Sequence, residues 1–283
     1  MALVILSALL SSAFFLLFKA FQLRRIALFP AIAVNYVVAF VLGLAWSRPW
    51  SAGDLGLLWW PAAVEGAGYF GLFLLMGTAT QRLGVSPVTV AAKLSLALTV
   101  AATVLVFREQ LVPMAWAGIV LAVLGVGFSS WGGAARGARG WWLLPVIFLG
   151  NSFTDVFLNA VQRTRLTPLT EAAFTTLVFG FAALFSLLWL AFRADRGELR
   201  KARTWAGGAL LGGANFGSLL LLLSALAGSG LPASIVFPLL NTGVILFGAA
   251  GAMLLFRENP RPVQWAGIAC SMASLLMILA AFR

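Results

Sequence analysis

Histidine is absent from this 283-residue sequence, and cysteine occurs once, at position 270. Without histidine there is neither a histidine metal site nor a Ser-His-Asp triad. With one cysteine no intrachain disulfide can form, and Cys270, inside an apolar block, reads as a small buried apolar residue. Charge is scarce as well. Asp, Glu, Lys and Arg make up 10% of the chain, against about a quarter in soluble domains. No nucleotide-binding motif is present, so direct ATP use is not expected. No paired metal-ligand motif or nucleophile motif is present either, which argues against an enzyme and against a metal or other cofactor.

What the chain has in abundance is apolar sequence: 62% of its residues, with a mean hydropathy of +1.01. These residues fall into ten blocks, at 2–22, 28–47, 56–80, 86–106, 112–131, 141–162, 168–192, 204–228, 231–255 and 262–282. Blocks of about 20 residues match a hydrocarbon core of roughly 30 Å. An all-α integral membrane protein with ten transmembrane helices is therefore expected. The first block has no basic stretch before it and reads as a membrane helix rather than a cleaved signal peptide. Prolines at 30, 87, 113, 168, 232 and 262 mark helix starts, where a missing N–H costs nothing. Trp46, Trp50, Trp59, Trp60, Trp141 and Trp142 lie near predicted ends and fit an aromatic belt.

The net charge of +11 is not a nucleic-acid signal, because the basic residues sit in short connections between apolar blocks. If the N-terminus is outside, the inner side holds Lys19, Arg24, Arg25, Arg82, Arg136, Arg139, Arg193, Arg196, Arg200, Lys201, Arg203, Arg257 and Arg261. The outer side then holds only Arg48, Arg108, Arg163, Arg165 and Arg283. This bias places both termini outside the cytoplasm.

The chain also repeats itself. Leu105-Val-Phe107-Arg108-Glu109, Pro113 and Trp116-Ala-Gly-Ile119 recur as Leu254-Leu-Phe256-Arg257-Glu258, Pro262 and Trp265-Ala-Gly-Ile268. A weaker echo pairs Gly66, Phe70, Gly71, Leu74 and Leu75 with Gly212, Phe216, Gly217, Leu220 and Leu221. Residues 1–132 and 141–283 thus read as two five-helix repeats. Because five is odd, the second must enter the membrane from the opposite side, giving an inverted repeat.

Ten helices, the 5+5 repeat and the twice-used F-R-E … W-A-G-I junction resemble the drug/metabolite transporter superfamily, in its EamA branch. That resemblance spans the whole chain. It implies a bacterial cytoplasmic-membrane exporter of amino acids or other metabolites, with a central cavity walled by helices 1–4 and 6–9 and with helices 5 and 10 peripheral. Many members of the family are described with cytoplasmic termini, the reverse of the charge bias here.

Candidate site residues are the polar groups at membrane depth. Lys93 lies about 9 Å along the fourth helix if that helix begins near Pro87. An ionised group there must face a cavity or a partner. It reads as the holder of a substrate carboxylate or phosphate, as half of a structural ion pair, or as a lysine snorkelling to the interface. Its repeat counterpart is Thr242, beside Asn241, in a helix that Pro238 is expected to kink. Glu65 in the third helix and Asp155 in the sixth are candidates to pair with Lys93, to bind a substrate amine, or to carry a proton. Asn151, Asp155, Asn159 and Gln162 fall at i, i+4, i+8 and i+11, a polar stripe expected to face the bundle interior or to serve packing. Asn35, Asn215 and its repeat partner Tyr69 either line the cavity or bond between helices. Glu171 suits a helix N-terminus. Gly208-x3-Gly212 and Gly213-x3-Gly217 read as close packing more readily than as dimerisation.

The function these residues suggest is a secondary transporter of a small polar metabolite, an amino acid or another zwitterion or anion, working by alternating access around a midplane cavity. Its expected partners are that solute, membrane lipids and a coupling proton or ion, in a monomer or homodimer. A flippase for lipids or lipid-linked precursors is the alternative, with Lys93 meeting a headgroup phosphate.

Overall fold

In a computed structural model of the chain, residues 2–51, 55–107, 112–133, 140–167, 170–228 and 233–281 are described. Arg108-Glu109, Pro168, Pro232, Arg136, Arg139 and Arg283 lie outside them. The described residues form α-helices and short 3-10 turns, with no strand. The helices are α1 (Ala2–Leu23), α2 (Leu28–Ser47), α3 (Trp59–Leu83), α4 (Val85–Phe107), α5 (Pro113–Gly133), α6 (Leu143–Arg165), α7 (Glu171–Ala191), α8 (Ala202–Gly228), α9 (Ala233–Phe256) and α10 (Pro262–Ala281). The polar stretch between α7 and α8 is also ordered, as a 3-10 segment over Ala194–Arg200.

Local sequence explains where these helices begin and end. Pro30, Pro61, Pro87, Pro113, Pro145 and Pro262 all sit in a first turn. Three helices are followed by an arginine in the left-handed region: Arg25 (φ 52°), Arg48 (φ 42°) and Arg257 (φ 54°). Glycine is the usual residue there, and a side chain costs roughly 1–2 kcal/mol. A cation at a helix C-terminus recovers part of this through the helix dipole. The α3–α4 connection is the single residue Gly84, at φ 95°.

Seven helices, α1, α2, α3, α6, α7, α8 and α9, contain described stretches long and apolar enough to cross a membrane. In α4, α5 and α10 the corresponding described stretches are shorter: Val85–Thr99, Trp116–Gly125 and Pro262–Met277. The chain is thus an all-α membrane protein. The six belt tryptophans are all more than half exposed. Cys270 is only half-buried, less enclosed than the expected core position.

The chain gathers into two compact units, and each draws on both halves of the sequence. The first contains Met1–Lys19, Leu75–Phe153 and Gly217–Arg283. In it α5 packs on α10, and α4 packs on α5, α9 and α10. Gly125 admits Leu94 and Ser271, and the Ser274 hydroxyl donates to the Gly118 carbonyl at 2.7 Å. Gly248 receives Thr89, joining α9 to α4, and the Ser7 hydroxyl donates to the Ser218 carbonyl, joining α1 to α8.

The second unit contains Ala20–Leu74 and Thr154–Phe216. Its centre is the pair α2 and α7. Phe40 lies over Gly180, and Thr176 lies over Gly43 while sharing a hydrogen bond with Ser47. In α8, Gly208 meets Val34 and Gly212 meets the Asn35 carbonyl. A Cβ at either position would fall within 2.7 Å of α2, so these glycines serve packing between helices. Gly213 has nothing near it, and Gly217 meets only the Leu10 side chain, within the first unit.

Candidate functional site

Each unit holds its own set of the candidate polar residues. In the second unit these are Asn35, Glu65, Tyr69, Asp155, Asn159 and Asn215. The segment Glu65-Gly-Ala-Gly68-Tyr69 sits where α3 meets two neighbours. A Cβ on Gly66 would lie 2.7 Å from Phe181 and 2.8 Å from the Val178 carbonyl of α7. One on Gly68 would lie 2.8 Å from the Thr154 methyl of α6. The two glycines therefore let α3 press close to both helices. That closeness encloses Glu65, which is 1% exposed.

Neither carboxylate oxygen of Glu65 has a hydrogen-bond partner. Asp155, adjacent to Thr154, lies within electrostatic range of Glu65, and Tyr69 lies within range of both. The Tyr69 carbonyl accepts the hydroxyl of Tyr36 at 2.8 Å, and Tyr36 is fully buried against Phe73 and Phe179. Tyr36 was not among the sequence candidates. Its hydroxyl, beside Asn35 in an apolar run, is the available signal.

On the α2–α8 side, the Asn215 amide donates to the Asn35 side-chain oxygen at 3.3 Å. Asn35 is fully buried and its own amide nitrogen has no partner. These two asparagines bond between helices, and the unused donor is the Asn35 amide.

The α6 stripe does not behave as one line. The Asn151 amide donates back to the Ile147 carbonyl of its own helix at 2.8 Å. Asp155 and Asn159 are half-buried, and the Asn159 side-chain oxygen is enclosed without a partner. Gln162 is exposed. Helix position puts the four on one face; burial and hydrogen-bond partners separate their environments.

The first unit holds Lys93, Asn151, Asn241 and Thr242. Lys93 is half-buried in α4, between the fully buried Ala91 and Leu94. Two residues on, the Ser95 carbonyl accepts both Thr99, at 3.0 Å, and Ser152 of α6, at 3.2 Å. A carbonyl drawing two hydroxyls marks a polar seam between α4 and α6 in an apolar helix pair. Asn241 is 8% exposed and Thr242 is half-buried, and α9 continues through position 238 as one helix. Glu171 opens α7, as its charge favours. Among the described residues, no group of three or more Cys, Asp or Glu could hold a metal ion.

No family model matches the chain. An uncharacterized protein of Haemophilus influenzae is 25% identical over 288 residues, covering 97% of this chain and 96% of its own length. A protein of known crystal structure aligns with a TM-score of 0.57 at 17% identity, covering 98% of this chain and 99% of its own. The relative is similar end to end, and the solved structure shares the fold.

Proposed function

We propose that the chain is a secondary transporter of a small polar metabolite, an amino acid or another zwitterion or anion, working by alternating access. In this reading all ten helices cross a bacterial cytoplasmic membrane, as two inverted five-helix repeats of the EamA type. The observation that carries it is a packing pattern. Within the units α2 packs on α7, α4 on α9 and α5 on α10, and each of these pairs is a helix and its counterpart five places on. Pairing of counterparts is what a two-fold relation between repeats produces, and repeats of this kind are common in transporters.

The polar groups support the same reading. An ammonium at membrane depth costs roughly 2.5–3.5 kcal/mol on insertion scales, and a buried carboxylate without a partner is expensive too. Residues that costly are kept for a solute or an ion. Lys93, with Asn241 and Thr242 in the same unit, holds an anionic group. Glu65 and Asp155 hold a cationic one.

The test is efflux from proteoliposomes filled with a mixed pool of amino acids and other small zwitterions and anions, read by mass spectrometry. The expected result is selective, protein-dependent release of at least one class. Lys93→Met is expected to fold and to lose that release. Release no faster than from protein-free vesicles, together with scrambling of a fluorescent lipid, would sink the proposal in favour of a flippase.

A further inference from the structure

Among the described residues, three enclosed side-chain oxygens on α3 and α6 of the second unit lack a hydrogen-bond donor: both carboxylate oxygens of Glu65 and the side-chain oxygen of Asn159. All three are acceptors. Buried polar groups are rarely left unpaired, and each exception calls for a physical explanation, an ion among them. A second carboxylate, Asp155, lies one turn before Asn159 on the same face of α6 and within electrostatic range of Glu65.

Steric contacts fix the register independently. Gly68 of α3 abuts Thr154, and Trp60 stands edge-on to Phe157 with ring centroids 6.0 Å apart. Glu65 falls between these two contacts, opposite the start of the segment that carries Asp155 and Asn159. Several other ionisable groups on the surrounding helices are engaged elsewhere or lie away from Glu65. The Tyr36 hydroxyl is engaged by the Tyr69 carbonyl, and Tyr69 is within range of both acids. Arg165 donates to the Leu57 carbonyl and lies over the Trp60 ring, Arg163 is exposed, and Glu171 is at the far end of α7. α2, α3, α6 and α7 thus bring two acids to one place, with an orphaned amide oxygen one turn further along α6.

We infer that Glu65, Asp155 and Asn159 form a binding site for one small monovalent cation in the space bounded by α3, α6 and α7. The sources that share this chemistry are a proton, a sodium ion and an ammonium group. Using such a site to couple transport rests on the reading above; the binding itself does not.

Binding is measured on the purified full-length chain, without transport, as the thermal unfolding midpoint reported by a thiol dye at Cys270. Three series are run: sodium chloride against choline chloride at constant ionic strength, ammonium chloride against choline chloride, and falling pH. A ligand that binds only the folded state raises the midpoint by mass action. The expected result is a rise in at least one series for the natural sequence, most of it lost in Glu65→Gln. The responding series identifies the cation. No response in any series, or the same response in Glu65→Gln, overturns the site. If Glu65→Gln does not fold, Asp155→Asn is read in the same series against the same two outcomes. Failed efflux with an intact cation response rejects the transport reading alone; intact efflux with no cation response rejects this site alone.

Discussion

The carboxylate of Glu258 accepts the backbone N–H of Val85 at 3.1 Å. The second residue past the end of α9 therefore caps the first turn of α4. Glu258 is held there by a closed helix end: Arg257 turns left-handed, and the Glu258 N–H reaches back to the Ala252 carbonyl at 3.1 Å. Lys19, near the end of α1, lies 3.6 Å from the other carboxylate oxygen. A Cβ on Gly84, the one-residue link into α4, would lie 2.9 Å from the same carboxylate. Glu258 belongs to the F-R-E junction, so one part of that motif has a structural task at this end of the first unit.

Removing the cap has a predictable cost. Glu258→Ala is expected to destabilise the chain by about 1–2 kcal/mol, the range for a lost helix cap with charge assistance. Lys19→Met is expected to cost less, about 0–1 kcal/mol, because the pair is partly exposed and not hydrogen-bonded. Thermal unfolding of both variants gives the order, and an equal or reversed order refutes the capping role. Gly84→Ala should cost at least as much as Glu258→Ala, since it adds a side chain at positive φ and crowds the carboxylate.

The glycines of α8 are expected to separate by position. Gly212→Val drives a side chain into the Asn35 carbonyl, where a Cβ would already be at 2.6 Å, and overpacking of this kind costs about 1–3 kcal/mol or more. Gly213→Ala meets nothing and gains helix propensity, up to about 1 kcal/mol. Unfolding midpoints that move in the same direction for both would contradict the packing assigned to this helix.

A pH effect is expected in the α7–α8 connection. A hydrogen bond from Lys201, and then the charges of Lys201 and Arg203, hold the Glu198 carboxyl below its ordinary value. A lowered folded value means that the favourable contribution is present above the ordinary carboxylate range. It is lost as pH falls through the lowered value. The group is partly exposed, so salt should weaken the effect. Amide exchange over 194–201 should therefore speed up in acid or high salt, and Glu198→Gln should abolish that dependence. Unaltered exchange in the variant would remove Glu198 from the account.

Orientation is testable with a reporter fused after Arg283. From the charge distribution it is expected outside the cytoplasm. Cytoplasmic activity from a folded fusion would show that the basic residues do not set the topology.

Much of the fold was legible because membrane insertion is read locally. The helix positions follow from runs of about 20 apolar residues and first-turn prolines, and α2 was expected at the bounds it has, Leu28–Ser47. The expected third block, 56–80, starts where the apolar span does, at Gly56, but its first three residues form a 3-10 turn and α3 itself begins at Trp59. Hydropathy does not distinguish the two. The candidate residues were legible in kind: an acid or amide inside an apolar helix stands out by its cost.

By itself the sequence determined the class of protein, the approximate helix ends and the set of polar residues at membrane depth. Each depends on transfer free energies summed over neighbours in the chain. Tertiary structure alone decided that Glu65 is enclosed without a donor while Asn151 bonds to its own helix, and that Asn35 meets Asn215. It alone decided that Glu258 caps α4 from 173 residues away. These outcomes depend on how closely two helices approach, which is set by glycines and shapes on both partners at once. No window of a single chain segment contains that information.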